Sequence, residues 1–401
     1  MKPKILLLAG EESGVLYAGR LSERLHSAGA DVRGYADYGF ATSDLAVMGF
    51  LPVLRRIFYF LGVAHTMKRA IREWHPDAVV TIDYPGMNLK LAAYAKGLGI
   101  PAVHMVCPQV WAWHRNRIPK VAAALSELLC FFPFEPELFR GTGLEAKFIG
   151  HPLVKVMERE FADAPGGEKS GTVQPADPAD DSHDVRTVAL LPGSRIGEIQ
   201  RILPRLLDAV SIMSAAAMPP FRIVIPAANG AARREIERIV GRRTGLPKIE
   251  VQSGNARALL RTATCAAVAS GTATLEAALA RCPTVLVYAV SPLLAWFARR
   301  VITGVRHIGL ANVVAEKCGF EPPMPELLQE AFTAEAVAAR LKTWLSDAAV
   351  RRDAVEKLDA AMRHLKADGE PLDIAAAEIM SKIGQSSRCS AGRACRSVCR
   401  I

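Results

Sequence analysis

The chain of 401 residues has no run of about eighteen uncharged apolar residues, which excludes a simple membrane-spanning helix. No Cys-x-x-Cys spacing occurs: Cys107, Cys130, Cys265, Cys282 and Cys318 are scattered in apolar or loop contexts and read as reduced, structural thiols. Cys389, Cys395 and Cys399 sit in a basic terminal stretch that matches no zinc pattern, and 384–401 reads as a disordered tail. There is no His/Glu cluster with metal-ligand spacing and no Asp-x-Asp, so no metal and no cofactor is expected. The first apolar run is not followed by Gly-x-Gly-x-x-Gly, and no acidic residue ends a second strand, which disfavours a dehydrogenase. No internal repeat is evident.

What remains is a chain long enough for two domains, half hydrophobic and 22% charged, as in folded globular proteins. The formal net charge of +10 points to an anionic partner without choosing among nucleic acid, membrane and phosphorylated substrate. Met1-Lys-Pro-Lys followed by Ile5-Leu-Leu-Leu is too short for a signal peptide and suits a first strand, so a cytoplasmic protein is expected.

Apolar strand-like runs alternate with amphipathic helical stretches, the pattern of a parallel sheet wound with helices. Strands are predicted at 4–9, 77–82, 101–106, 127–131 and 146–149, then at 187–191, 221–226, 264–269 and 284–287; helices at 325–346, 347–366 and 371–383 close the chain. The predicted class is α/β, with two doubly wound Rossmann-like domains at 1–165 and 186–345. Residues 166–185, rich in Gly, Pro, Ser and Asp, read as a linker or a solvated loop, and the helices of 346–383 as packing back across the domains. Ligands of such sheets bind at the carboxyl ends of the strands, here in a cleft between the halves.

Two strand-to-helix turns of the second half suit a phosphate. Ser270-Gly271-Thr272 opens a helix whose first-turn N–H groups have no partner within it, and Gly193-Ser194-Arg195 adds a backbone turn and a permanently charged guanidinium. Glu276, one turn inside its helix, would accept from a diol such as ribose; a surface charge or capping box is the plainer alternative. In the first half, Asp83 ends the apolar strand Ala78-Val-Val-Thr-Ile82, where partial desolvation raises a carboxyl pKa and suits a general base, although Asp before Pro85-Gly86 also suits a turn. Asn88 would cap the next helix or touch substrate. The stretch Ala9-Gly-Glu-Glu-Ser-Gly14 through Gly19 reads either as a loop offering its backbone and Ser13 to a sugar or phosphate or, equally, as a tight turn with a helix cap. Trp111 and Trp113 would stack on a sugar face or pack on the domain.

Residues 48–72 interleave basic residues with Phe50, Leu51, Leu54, Phe58, Phe60 and Leu61. A helix on an anionic membrane, an acyl-chain groove or a buried core helix would each account for them, and the excess of aromatics favours the membrane.

Together these pieces resemble the lipid-A-disaccharide synthase family. The resemblance rests on Ala9-Gly-Glu-x-Ser-Gly14, Leu45-Ala-Val-Met-Gly49, Ile82-Asp-x-Pro-x-x-Asn88, Pro108-x-Val-Trp-Ala-Trp113 and Phe148-Ile-Gly-His-Pro152. It continues through Leu191-Pro-Gly-Ser-Arg195, Ser270-Gly-Thr-Ala-x-Leu-Glu276, Asn312 and Pro325-Glu-Leu-Leu-Gln329. It implies a GT-B glycosyltransferase that uses UDP-2,3-diacylglucosamine as donor and 2,3-diacylglucosamine 1-phosphate (lipid X) as acceptor, inverting the anomeric centre. It further implies Asp83 as base toward the acceptor 6-hydroxyl, Arg195 on the departing UDP, Asn312 and Gln329 near the nucleotide, and Glu11 among the acceptor-side residues. Val15 and Tyr17 depart from the family pattern, which carries an acid and a glycine there. A protein held at the inner face of the cytoplasmic membrane is the implied setting, with a homodimer as one option.

Two other readings compete. A UDP-sugar 2-epimerase would share the fold and the nucleotide contacts but has no need of residues 48–72. A basic non-catalytic binding protein would cluster its positive charge; here the charge is spread, so nucleic acid is not expected as a partner.

Overall fold

The computed structural model describes residues 2–10, 12–41, 57–162, 185–291, 295, 296, 300 and 304–398. The chain forms two compact units, Met1–Pro152 together with Leu365–Ile401, and Leu153–His364.

The first unit is built on a six-stranded parallel sheet in the order β2-β1-β3-β4-β5-β6. Its strands are β1 (Lys4–Ala9), β2 (Asp31–Arg33), β3 (Ala78–Ile82), β4 (Ala102–Met105), β5 (Glu127–Cys130) and β6 (Glu145–Phe148). Between them run α1 (Glu12–Ser27), α2 (Ile57–Trp74), α3 (Pro85–Gly97) and α4 (Ile118–Ala124). Side chains alternate across a strand, so Ile5 and Leu7 face a core shared with Leu21 and Leu25 of α1, while Leu6 and Leu8 face Val63, Met67 and Ile71 of α2 and Leu91 of α3. With both faces covered, near-continuous apolar strands are required, and β3 and β4 are buried along their whole length.

The second unit carries a six-stranded parallel sheet in the order β12-β11-β10-β7-β8-β9. Its strands are β7 (Arg186–Leu191), β8 (Phe221–Ala227), β9 (Ile249–Ser253), β10 (Cys265–Ala269), β11 (Thr284–Tyr288) and β12 (Glu326–Leu328). Its helices are α5 (Pro152–Ala162), α6 (Ile196–Ser214), α7 (Gly230–Val240), α8 (Ala256–Thr262), α9 (Thr272–Leu279), α10 (Leu310–Lys317), α11 (Ala334–Ser346) and α12 (Ala348–Met362). The buried stripe of α6, Ile199, Ile202, Leu203, Leu206 and Val210, packs in the same cluster as Val188, Leu190, Ile223 and Ile225 of the sheet.

The two doubly wound sheets agree with the expected class, and the strands fall within a residue or two of their predicted places. The short strands β2, β9 and β12 were not predicted. β12 corrects a helix expected from 325: Glu326–Leu328 pairs with Leu286–Tyr288 of β11, and edge pairing overrides the local helical pattern.

The units divide at Pro152 and again at His364, not near 165 and 346. Helix α5 belongs with the second unit, where Arg261 lies over the Phe161 ring and Arg257 pairs with Glu160. The chain re-enters the first unit through α13 (Pro371–Val398), whose Leu372, Ala375, Ile379 and Ile383 join the core around Ile5 and Val80. Lys147 of β6 binds Glu378 of α13 at 2.6 Å, and Lys382 pairs with Glu145, fixing the helix against the sheet edge. The tail expected to be disordered from 384 is helical through Val398, since no proline follows Pro371 to remove a backbone donor. The predicted linker at 166–185 falls almost wholly outside the described residues.

Candidate functional site

In a doubly wound sheet the loops after the two strands flanking the starting strand's switch point diverge and leave a crevice. In the second unit that point lies between β7 and β10, the strands followed by the two turns suited to phosphate. A pocket of about 670 Å³ opens there, and Gly193, Ser194, Arg195, Ser270, Gly271, Thr272 and Glu276 all line it. Residues separated by some eighty positions are thus brought together by one parallel pairing, Ala267 beside Leu190.

The backbone at each turn is specialised. Gly193 has φ of 108°, a backbone conformation that side chains with a Cβ rarely adopt, and a Cβ there would crowd the Glu198 side chain. Arg195 is the N-cap residue of α6, and its Nη1 donates to Glu198 Oε1 at 3.0 Å. Gly271 is the N-cap of α9, so the amides of the first turn of that helix open on the pocket.

Glu276 is not a solvated surface charge. Arg257 Nε donates to its Oε1 at 2.9 Å, and the same guanidinium also pairs with Glu160. Burial works against the charge on Arg257, but the two carboxylates hold its pKa above the ordinary arginine value. Arg257, Asn255, Glu160 and Glu198 are pocket residues that the sequence reading missed. The only local signal was Gly254-Asn255 after a strand, with φ of 67° and 58°, a turn of the same kind as the other two.

Asn312 and Gln329 do not line this pocket. Asn312 is fully buried; its Nδ2 donates to Met324 O at 2.7 Å and Glu326 Oε1 at 2.8 Å, and its Oδ1 accepts from Met324 N at 2.9 Å. Glu326 in turn accepts from Ile308 N and Gly309 N at 3.1 Å, capping the start of α10. Gln329, in the amide orientation that satisfies both groups, donates to Val290 O at 3.2 Å and accepts from Val290 N at 3.1 Å. Both side chains clip the backbone, Asn312 that of Met324 and Gln329 that of Val290.

The first unit has its own switch point between β1 and β3, and Asp83 stands there at the carboxyl end of β3. Burial lifts the Asp83 pKa above the usual carboxylate value, against the hydrogen bond its Oδ1 accepts from Tyr84 N at 2.8 Å. Asp83 and Tyr84 both have positive φ, 50° and 51°, a conformation that costs of order 1–3 kcal/mol per non-glycine residue. Gly10, after β1, makes room for this turn: a Cβ on it would lie 2.7 Å from the Tyr84 ring.

Asn88 does not cap α3, whose N-cap is Tyr84. It is fully buried inside that helix, and its Nδ2 donates to the carbonyls of Asp83 at 2.8 Å and Ile82 at 3.1 Å. Trp111 is likewise interior: its indole donates to Glu135, and the rings of Phe132 and Phe134 meet it edge to face. Stacking on a sugar is not open to it. Trp113 is more exposed and lies tilted against His114. The residues Ala9–Gly19 are mostly helical, since α1 starts at Glu12 and contains Ser13; Glu11 lies outside the described residues.

The fold also gathers Cys107, Cys130 and Glu135, with ligand-type atoms within 4.8 Å of one another, a cluster that sequence spacing concealed. Both Glu135 oxygens are engaged, Oε1 by Trp111 Nε1 and Oε2 by Phe132 N, each at 3.1 Å.

Of the expected membrane residues, Phe50, Leu51 and Leu54 lie outside the described residues. Phe58 and Leu61 project from α2 with exposures of 84% and 60%, and Phe60 is half-buried. The other face of α2, Val63, Met67, Ala70 and Ile71, is core, so the helix is amphipathic rather than wholly buried. No helix among the described residues is long and apolar enough to cross a membrane.

Two Rossmann-like units of this topology define the GT-B class. Solved structures with the same fold include UDP-GlcNAc 2-epimerase from Neisseria meningitidis bound to UDP-GlcNAc, with a TM-score of 0.54 at 11% identity, covering 94% of this chain and 100% of that one. Arabidopsis thaliana UGT89C1 complexed with UDP matches with a TM-score of 0.53 at 14% identity over 95% and 100% of the two chains. Sequence narrows the class: residues 5–380 match the model of the lipid-A-disaccharide synthetase family. Lipid-A-disaccharide synthase of Anaeromyxobacter dehalogenans (strain 2CP-C) is 33% identical over 389 residues, covering 93% of this chain and 96% of the relative. The chain belongs to the lipid-A-disaccharide synthetase family, and it is a glycosyltransferase of lipid A biosynthesis.

Proposed function

We propose that the protein transfers 2,3-diacylglucosamine from UDP-2,3-diacylglucosamine to the 6-hydroxyl of 2,3-diacylglucosamine 1-phosphate, with inversion, releasing UDP. The observation that carries this reading is the convergence of the Gly193–Arg195 turn, the start of α9 and Glu276 on one pocket. A nucleoside diphosphate needs that set: amides and a guanidinium for the pyrophosphate, a carboxylate for the ribose.

Arg195 and the first-turn amides of α9 stabilise negative charge as it develops on the departing diphosphate. Glu276, oriented through Oε1 by Arg257, offers Oε2 to the ribose hydroxyls. Asp83 takes the proton of the acceptor hydroxyl as that oxygen attacks C1 of the donor; the C1–O bond to UDP breaks with its electron pair going to the phosphate. A carboxyl whose pKa is lifted by burial is a stronger base than an ordinary aspartate. The outward residues Phe58 and Leu61 are the contact with acyl chains or with the membrane that holds the substrates.

The test is incubation of purified protein with both acylated glucosamines, measuring disaccharide and UDP. Disaccharide and UDP in equal amounts support the reading. UDP released without the acceptor points to hydrolysis or epimerase-type chemistry, and absence of disaccharide overturns the assigned substrates.

A further inference from the structure

Asp83 and Tyr84 hold a backbone that neither residue type prefers, and the described side chains show what holds it. Asn88, one turn into α3, directs its Nδ2 to the carbonyls of Ile82 and Asp83, with Leu8 O of the neighbouring strand at 3.4 Å. Those carbonyls accept only the amide's Nδ2 end, which leaves its oxygen to be held by a donor of its own. Tyr35 supplies it, its buried hydroxyl donating to Asn88 Oδ1 at 3.0 Å. Tyr35 opens a short 3-10 turn, Tyr35–Tyr38, after β2, and its ring packs in the same core as Leu6, Leu8 and Met87. The chain of contacts therefore runs from the β2 side of the sheet, through one amide, to the backbone of Asp83.

We propose that Tyr35 and Asn88 are positioning residues for Asp83: the tyrosine fixes the amide, and the amide fixes the strained turn that presents the carboxylate. The proposal rests on the reading of Asp83 as the base. It explains why a phenol is buried where an apolar ring would fill the same space, and why an amide with no route to a ligand sits one turn from the reacting group. A flipped amide would set its oxygen against the carbonyls of Ile82 and Asp83, and the turn would relax.

The experiment compares four proteins in the disaccharide assay: the parent, Tyr35→Phe, Asp83→Asn and the double variant. Tyr35→Phe keeps the ring and its packing, so it is expected to fold, as checked by its melting midpoint. Its kcat is expected to fall about tenfold with KM for both substrates within about twofold, since orientation rather than binding is lost. In the Asp83→Asn background, adding Tyr35→Phe is expected to change the residual rate by less than about twofold, because a residue acting through Asp83 has nothing left to position. A Tyr35→Phe rate within twofold of the parent overturns the proposal. So does an equal tenfold loss in both backgrounds, which marks a general structural role. Parent-like turnover of Asp83→Asn overturns the base assignment, an outcome separate from either.

Discussion

Trp111 Nε1 and Glu135 Oε1 lie 3.1 Å apart, a hydrogen bond between an indole and a carboxyl that are both buried in the first unit. The bond joins the loop after β4 to the loop after β5, and Phe132 N donates to the other carboxyl oxygen at 3.1 Å. Replacing Trp111 with Phe leaves a buried acceptor short of a donor. The expected cost is about 1–3 kcal/mol in urea unfolding, with UDP affinity unchanged.

Burial pushes Glu135 up to about 8, although the Phe132 and Trp111 hydrogen bonds oppose the shift. The folded carboxyl keeps a proton that the unfolded one releases above its ordinary 4.5, so this contribution to stability is complete below that pH and is lost as pH rises towards 8. His104 and His151, held neutral by burial with values of about 3 and about 4, give the opposite slope below their ordinary 6.5. Between pH 6.5 and 8 the parent should therefore lose stability that Glu135→Gln, which cannot ionise, does not lose. Unfolding free energies of the two proteins across that window check the sign.

Asp83→Asn should lower kcat by about 10²–10⁴-fold, the usual worth of a general base, with little change in KM. In the parent, the acid limb of kcat/KM should titrate above the ordinary aspartate value of 3.8, because the carboxyl must lose its proton to act and burial resists that loss. An acid limb that persists in Asp83→Asn would assign it to another group.

Arg195→Ala should weaken UDP binding by about 1.5–3 kcal/mol, the range for hydrogen bonds to charged groups, as measured by calorimetry. Arg257→Ala should also weaken it, though its guanidinium acts through Glu276. Asn312→Ala should do the reverse of Arg195→Ala: about 1–3 kcal/mol less stable, with UDP affinity retained, because its amide is spent on Met324 and Glu326.

Replacing both Phe58 and Leu61 with Ser should reduce co-sedimentation with anionic vesicles by about tenfold or more, given roughly 0.8 kcal/mol for each methylene withdrawn from water. The folded core should be unaffected, as both side chains point away from it. Unchanged sedimentation would remove these residues from the membrane contact.

Much of this protein is written in its local pattern. Apolar runs such as Ile5–Ala9 and Ala78–Ile82 can be buried on both faces only in a parallel sheet sheathed by helices, and the spacing of runs leaves room for crossovers. Small residues after β7 and β10 announce turns that a backbone-seeking anion can approach, so the amino acids at 193–195 and 270–272 could be named in advance. Asp83 was legible for the same reason, as an acid ending an apolar strand.

Polar side chains without a periodic context carried no such signal. Asn88, Asn312, Gln329 and Trp111 have donors or acceptors that suit a ligand and a backbone carbonyl equally, and only the packed structure decides which they meet. Arg257 became a pocket residue because β9 lies at the edge next to β8, a pairing that no neighbouring residue foretells. Sequence by itself determined where the chain turns and which faces it buries, since these follow from period and backbone freedom. Tertiary structure alone decided which polar group meets which, since a buried donor is satisfied by whatever distant strand or loop the fold sets beside it.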